Sequence, residues 1–428
     1  MNFIENLKKY LDDEFIESLM NSMEEKSTSS IILNENKMSK DSFLKLFPSA
    51  KRHSFMDDVF YYDKNEYPLG KSYLFDNGAY YIMDASSLLV SNFLPINEGD
   101  LILDMCAAPG GKTISTALRN RNKNVQFLAN DISYQRALEL SNNVERMGLG
   151  NVVVTSKDPL KLQQLIPQKF NVIILDAPCS GSAMFRKNEF AKLDWTIEKV
   201  NSLKEIQKSL LKVGLEMLNG DGYLMYSTCS FSHEENEEVV LETLKLFDDI
   251  EVINLPKNEE FYRTKDLPEA IHLFPNLYNG EGQFLCLLHK KGSKTPTKFK
   301  NLGIKHKNIA KDYNLDFLNE VNVGEEIYFN SSPLNLDKLS CIRYGLHVGK
   351  ISKDIFTPDF HLAKYLNNTS SIELNEAEMK QYLHGEEIKK DMNLQKDFYL
   401  VSYQGINLGF IKYSDGRMKN FYPKGLRH

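Results

Sequence analysis

Disulfide frameworks and zinc sites are the first things this sequence excludes. Its five cysteines are few, odd in number and widely spaced, and none stands in a C-x-x-C pair. Thiols used this sparingly suit a reducing cytoplasm. No uncharged apolar run approaches the roughly 20 residues that a membrane-spanning helix needs. The stretch from Met1 to Glu14 sets acids and lysines among apolar residues at helical spacing and lacks the apolar core of a signal peptide. We therefore expect a cytoplasmic protein with no membrane anchor and no metal. Positive charge is also scarce: 52 Lys and Arg face 58 Asp and Glu, a net charge of −6. That argues mildly against a polyanion partner, but binding depends on where charge sits. Eight lysines and no acid occur from His289 to Lys311, and five Lys or Arg against one Asp from Lys412 to His428. These stretches read either as a solvated linker and tail or as phosphate contacts on an otherwise acidic protein.

What is present is ordinary in bulk. The 428 residues are 42% hydrophobic and 26% charged, enough for two or three domains and a large core. Residues 1–72 mix short helical patterns and form a small N-terminal module. Tyr80 to Leu94 has apolar residues at helical spacing up to Pro95, which predicts a helix. Strands and helices then alternate. Strands are expected at Leu101–Asp104, Val125–Ala129, Val152–Thr155, Val172–Leu175, Tyr223–Ser227, Ile250–Leu255 and Phe284–Leu288. Helices are expected from about Lys112, over Ser133–Met147, over Leu203–Leu218 up to Gly220 and Gly222, and from His233 to Leu246. Such alternation implies an α/β doubly wound sheet with ligands at the carboxyl ends of its strands. Residues 291–311, with Gly292 and Pro296, read as a lysine-rich linker. Residues 312–428 carry short strand patterns such as Glu326–Phe329 and Phe398–Tyr403 and read as a β-rich region.

The first strand runs into a glycine-rich turn, Cys106-Ala107-Ala108-Pro109-Gly110-Gly111-Lys112-Thr113. A triphosphate loop needs Gly four residues before its Gly-Lys-[Ser/Thr], where Cys106 stands, and the dinucleotide pattern G-x-G-x-x-G is absent. What remains is a backbone that a small ligand can approach closely. Acids follow the later strands. Asp131 suits ribose hydroxyls, Asp158 an adenine amino group, and Asp176 closes the fourth strand. Any one of these could instead cap a helix. Together they favour S-adenosyl-L-methionine, which carries adenosine but no phosphate. Two thiols end strands of the same frame, Cys179 in Asp176-Ala177-Pro178-Cys179-Ser180-Gly181 and Cys229 in Ser227-Thr228-Cys229-Ser230. Ser232-His233-Glu234-Glu235 has capping-box spacing, so a helix is expected to begin just after Cys229 and to favour its thiolate. Lys112 and Arg186 are candidates for cofactor-side or phosphate contacts. Cys286 and Cys341 lack a motif and read as small hydrophobes.

These motifs, with Tyr80-Tyr81-Ile82-Met83-Asp84-Ala85-Ser86-Ser87 ahead of them and Glu234-Glu235-Asn236-Glu237 after them, resemble the RNA cytosine-5 methyltransferase family, also called the Sun-type family. The resemblance covers about 73–290 in family order. Gly405-Ile406-Asn407-Leu408-Gly409-Phe410-Ile411-Lys412 and Arg417-Met418-Lys419-Asn420-Phe421-Tyr422-Pro423-Lys424-Gly425-Leu426-Arg427 look like the ending of its bacterial branch that acts on 16S ribosomal RNA.

The resemblance implies a Rossmann-like methyltransferase domain over 73–290, between the N-terminal module and a PUA-like, RNA-binding C-terminal region. It implies S-adenosyl-L-methionine held by Cys106 to Lys112, Asp131, Asp158 and Asp176. It assigns Cys229 as the nucleophile that adds to carbon 6 of cytosine, Cys179 to product release, and Asp176 to the base or the cofactor. The expected partner is 16S ribosomal RNA or the small ribosomal subunit, bound by a monomer. Rival readings are a transfer-RNA methyltransferase and a weakly active ribosome-assembly factor. Three departures bear on the substrate loop: Met83 where many members have Gln, Ser182 to Glu189 without the family's second Gly and its Pro, and Pro159 after Asp158.

Overall fold

The computed structural model describes residues 1–427 except 167–168, 296–302, 316–317 and 368. Its centre is a nine-stranded mixed sheet. In chain order the strands are β1 (Leu101–Asp104), β2 (Gln126–Asn130), β3 (Val152–Thr155), β4 (Phe170–Asp176), β5 (Leu218–Thr228), β6 (Ile250–Ile253), β7 (Ile271–Leu273), β8 (Gln283–Lys290) and β9 (Arg343–Tyr344). They lie in the order β6-β8-β5-β4-β1-β2-β3-β9, with β7 also paired to β8. β1 to β5 run parallel and are apolar along most of their length because both faces are covered. From β1 the chain winds outward through β2 and β3, then returns to β4 on the other side of β1. That reversal opens a crevice beyond the carboxyl ends of β1 and β4, the place where such sheets bind ligands.

Helices α1 (Ala85–Asn92), α2 (Gly111–Arg119), α3 (Tyr134–Met147), α4 (Pro159–Leu165), α5 (Ile197–Met217) and α6 (Glu237–Leu244) accompany these strands. Three expectations need correction. Tyr80–Ile82 is not helix but a strand paired to Ser29–Leu33 in the N-terminal sheet. The tyrosines favour an extended chain, and Asp84 stops it by accepting from Ser86 N and Ser87 N, so α1 starts only at Ala85. Gly220 and Gly222 do not end a helix. They lie inside β5, where Gly220 leaves room for the Ser293 carbonyl. Helix α5 begins at Ile197, six residues before the expected start, capped by Thr196.

The N-terminal helices Phe3–Leu7 and Asp13–Glu24 and the turn between them pack Leu7, Leu11, Ile16 and Leu19 against Ala183, Phe231 and Phe274, and Cys229 lies against this cluster. They form a roof beside the thiols. The lysine-rich stretch ends in a helix, Lys307–Asp312, with Ala310 buried; its Pro296 lies outside the described residues. The C-terminal basic stretch is not a solvated tail. Ile406–Ser414 and Arg417–Asn420 are strands of a five-stranded sheet that buries Leu408, Phe410, Ile411 and Met418.

The C-terminal region is fastened to the central sheet by β9, antiparallel to β3. Arg343 on β9 reaches Glu145 and Ser141 on α3. Gly148 caps α3 at φ +70°, and a Cβ there would lie 2.2 Å from the Lys364 carbonyl oxygen. Gly148→Ala therefore meets both a left-handed backbone, which costs about 1–2 kcal/mol, and a backbone clash. It lowers the thermal midpoint well beyond Gly99→Ala, whose φ of +76° is similar but whose Cβ meets nothing within 4 Å. Equal shifts in the two variants would show that the Gly148 contact does not hold the regions together.

Candidate active site

β4 and β5 are parallel neighbours in a register that sets Asp176 beside Ser227. Their next residues therefore leave the sheet together, and Ala177 N donates to Ser227 O at 2.9 Å. This brings the sulfurs of Cys179 and Cys229 to 3.0 Å, each partly exposed. The hydrogen bond to Cys229, burial, and the negative charge of Cys229, Glu235 and Asp176 together push the Cys179 thiol well above its ordinary range. The Cys179 thiol thus holds its proton tightly, and either sulfur can be the donor in the pair.

Asp176 sits at the centre of a polar cluster. Its Oδ2 takes Lys112 Nζ at 2.7 Å, while Oδ1 accepts from Ser227 Oγ at 2.8 Å and Gln283 Nε2 at 3.0 Å. Burial works against the Lys112 ammonium, but Asp176, Cys229 and Asp104 overcome it and hold the group above its usual value. Gln283, at the start of β8, accepts from Ser87 on α1 at 3.1 Å. Neither residue was legible as part of the site, because the contact depends on an antiparallel strand arriving from over 100 residues away.

The glycine-rich turn lies against this cluster. Ala107 N donates to Asn130 O at 2.7 Å, and Gly110 adopts φ +113° to turn the chain into α2. A Cβ on Gly110 would lie 2.9 Å from Leu140 Cδ1, and one on Gly111 2.8 Å from Met83 Sδ. Ala108, Pro109 and Gly110 thus present backbone between α3 and the lead-in segment, and burial pushes the Cys106 thiol up out of reactive range. Asp104 ends β1 fully buried. Its Oδ2 accepts from Thr113 Oγ1 at 2.6 Å, and its Oδ1 has no partner among the described residues.

Asp131 is also buried. Its Oδ1 accepts from Ser133 N, and its Oδ2 lies 3.2 Å from Arg136 Nη1 without hydrogen-bond geometry. Ile132 and Tyr134 follow it with large exposed apolar side chains. Asp158 instead takes the capping job: its Oδ1 accepts from Leu160 N at 2.8 Å and Lys161 N at 3.4 Å, with Pro159 in the first helical turn where its missing N–H is harmless.

Two further expectations give way. Glu235 does not close a capping box on Ser232. Residues His233–Glu235 form a 3-10 turn, the α-helix begins only at Glu237, and the Glu235 carboxylate turns back to Ser180, Ser230 and Gln207. Arg186 is not free for a phosphate. It pairs with the buried Glu281 at 2.8 Å and donates to the Gly280 and Ser22 carbonyls.

Asp104 Oδ1 and Asp131 Oδ2 are thus buried oxygens without a hydrogen bond among the described residues, a demand that a ligand with amino or hydroxyl groups meets. Burial raises the Asp104 carboxyl from 3.8 to about 7. Between those values the folded protein holds a proton that the unfolded chain has released, so this group's contribution to stability falls as pH rises toward 7. Asp104→Asn flattens that fall, as read from urea midpoints of the ligand-free protein between pH 5 and 7.5. Parallel curves for the two proteins would show that Asp104 does not titrate there.

Comparison with known proteins agrees with this geometry. Residues 91–289 match the model of 16S rRNA methyltransferase RsmB/F, residues 369–428 that of the methyltransferase RsmF PUA domain, and residues 1–85 that of the N-terminal domain of 16S rRNA methyltransferase RsmF. The ribosomal RNA small subunit methyltransferase F of Aeromonas salmonicida is 30% identical over 388 residues, 84% of this chain and 81% of that protein. Its Vibrio cholerae counterpart is 28% identical over 390 residues, 85% and 82% of the two chains. A methyltransferase homologue from Pyrococcus horikoshii superposes with a TM-score of 0.59 at 28% identity, over 67% of this chain and 94% of that one. NSun6 from Pyrococcus horikoshii shares the fold, with a TM-score of 0.60 at 20% identity over 68% and 97% of the chains. With the Aeromonas protein 30% identical over most of both chains and three models of this family matched along the sequence, the chain belongs to the 16S rRNA methyltransferase RsmB/F family.

Proposed function

We propose that this protein transfers a methyl group from S-adenosyl-L-methionine to carbon 5 of cytosine in 16S ribosomal RNA, through a covalent bond between Cys229 and the base. The observation that carries this reading is the pair of sulfurs 3.0 Å apart beside a glycine-rich cofactor turn. The named activity of the small-subunit methyltransferase F relatives supports the substrate. Such RNA is cytoplasmic in a bacterium, and among the described residues no helix is long and apolar enough to cross a membrane. One chain carries both thiols and the turn, which supports action as a monomer.

The crevice fits the cofactor. Asp131, buried after β2, is placed for ribose hydroxyls, and Ile132 and Tyr134 offer apolar surface to an adenine. In this reading the backbone from Cys106 to Gly111 and the Asp104 and Asp176 carboxyls hold the rest of the cofactor, with Asp158 engaged in its cap. Bound there, S-adenosyl-L-methionine supplies an electrophilic methyl group on a sulfonium. Carbon 5 of cytosine is too weak a nucleophile to accept it unaided, so Cys229 adds to carbon 6 and makes the ring enamine-like. Lys112 and Asp176 stand beside the thiols to hold the base. In release the carbon-5 proton passes to solvent, its bonding electrons re-form the 5,6 double bond, and the Cys229–carbon 6 pair leaves on sulfur as a thiolate. Cys179, kept protonated and 3.0 Å from the departing sulfur, donates a hydrogen bond to it.

The two cysteines therefore fail differently. Cys229→Ala abolishes methylation and leaves no protein–RNA adduct. Cys179→Ala permits attack and methyl transfer but stalls release, so an adduct accumulates that survives denaturing electrophoresis. The opposite pattern reverses the two roles, and normal turnover in both variants removes the covalent mechanism.

RNA affinity draws on the C-terminal sheet, where Lys396, Lys412, Arg417 and Lys419 line a cleft of about 450 Å³ with Glu387 and Asp415. Replacing Lys412, Arg417 and Lys419 with Glu weakens RNA binding and reduces its logarithmic salt slope by about 2, at roughly 0.7 per single-strand phosphate contact. Titrations across a salt series measure this. An unchanged slope would place the phosphate contacts elsewhere.

A further inference from the structure

The two thiols come from loops 50 residues apart in sequence, and strand pairing alone fixes only the bases of those loops. What fixes their tips is a single buried carboxylate. Glu235 is fully enclosed, in the turn just beyond the Cys229 loop. Its Oε1 accepts from the backbone N–H of Ser180 at 2.8 Å and from Gln207 Nε2 at 3.0 Å. Its Oε2 accepts from Ser180 Oγ and Ser230 Oγ, both at 2.5 Å. Ser180 follows Cys179 and Ser230 follows Cys229. Gln207, reaching in from α5, also donates to the Pro178 carbonyl at 2.8 Å, so Cys179 is held on both sides. On the other loop, Asn236 accepts from Thr228 Oγ1 at 2.6 Å and donates to Ser230 O at 2.8 Å.

We propose that Glu235 is a positioning residue that staples the Cys179 loop to the Cys229 loop and so sets the sulfur separation on which release of the methylated base depends. The inference rests on the covalent chemistry given above. Burying a carboxylate is costly unless its oxygens are filled with donors, and here four donors converge on one side chain. Three of them belong to residues adjoining the thiols. A carboxylate used only to stabilise the core would not need partners on both catalytic loops. Its negative charge also acts on Cys179, helping keep that thiol protonated and distinct from Cys229.

Loss of the staple lets the sulfurs drift apart while leaving each loop anchored at its strand. Addition by Cys229 needs only its own loop, whereas release needs both. Glu235→Gln keeps the size but replaces one acceptor with a donor that faces donors. It is expected to lower kcat on the order of 100-fold, the scale of a misplacement of about 1 Å at a reacting centre. KM for the RNA falls with kcat, because release follows methyl transfer, so kcat/KM and calorimetric affinity for S-adenosyl-L-methionine stay within about twofold. The covalent protein–RNA adduct at steady state rises above that of the unaltered protein, toward the level in Cys179→Ala. Ser180→Ala removes one arm without disturbing the buried charge and shows the same split in milder form. In the double variant the two effects are not additive, because they act through one contact.

A protein destabilised in general would lose cofactor affinity and adduct together, and that result for both Glu235→Gln and Ser180→Ala overturns the proposal. So does wild-type kcat with a low adduct level in both variants, provided Cys179→Ala still traps its adduct; the covalent chemistry then stands and the staple falls. If neither the unaltered protein nor Cys179→Ala forms an adduct while cytosine is still methylated, the covalent reading fails, and this inference with it.

Discussion

The parallel ladder between β4 and β5 is the constraint on which everything else depends. Its register sets Asp176 against Ser227, so that two segments separated by a 21-residue helix leave the sheet at one height. Side chains alternate along a strand, and a slip of one residue would turn Asp176 and Ser227 to opposite faces and part the thiols. The neighbouring β1 ends at the same edge in Asp104 and delivers the glycine-rich turn. Proximity of sulfur, carboxyl and turn is thus a property of strand order. No single loop has to reach for it.

The electrostatics follow from the same crowding. Asp104, Asp131, Asp176 and Glu235 all approach one region, with Lys112 paired to Asp176 and Arg136 beside Asp131.

Much of this was legible in the sequence. Buried parallel strands are continuous apolar runs, so β1, β2, β3 and β4 stood out, and the acids and thiols at their ends could be placed on one sheet edge before any coordinates. Elements whose identity rests on partners elsewhere were not legible. Tyr80–Ile82 has helical periodicity and becomes a strand because Ser29–Leu33 lies beside it. Glu235 has the spacing of a cap but is drawn away by serines on two other loops. Arg186 has the charge for a phosphate, yet the buried Glu281 claims it. The glycines of β5 read as a helix stop because the close approach of Ser293 cannot be seen from spacing. In each case a contact distant in sequence outweighed a local preference.

The short strand β9 has a consequence for target choice. It closes the open edge of the central sheet beyond β3, and the Gly148 contact with Lys364 clamps the same seam. The basic cleft on the C-terminal sheet and the two sulfurs are therefore tied through packed contacts and not strung on a free linker. A frame of this kind behaves as a caliper. If the cleft grips phosphates as proposed, such a frame accepts a cytosine at a set distance and angle from them, so RNA geometry selects the base where nearby sequence does not.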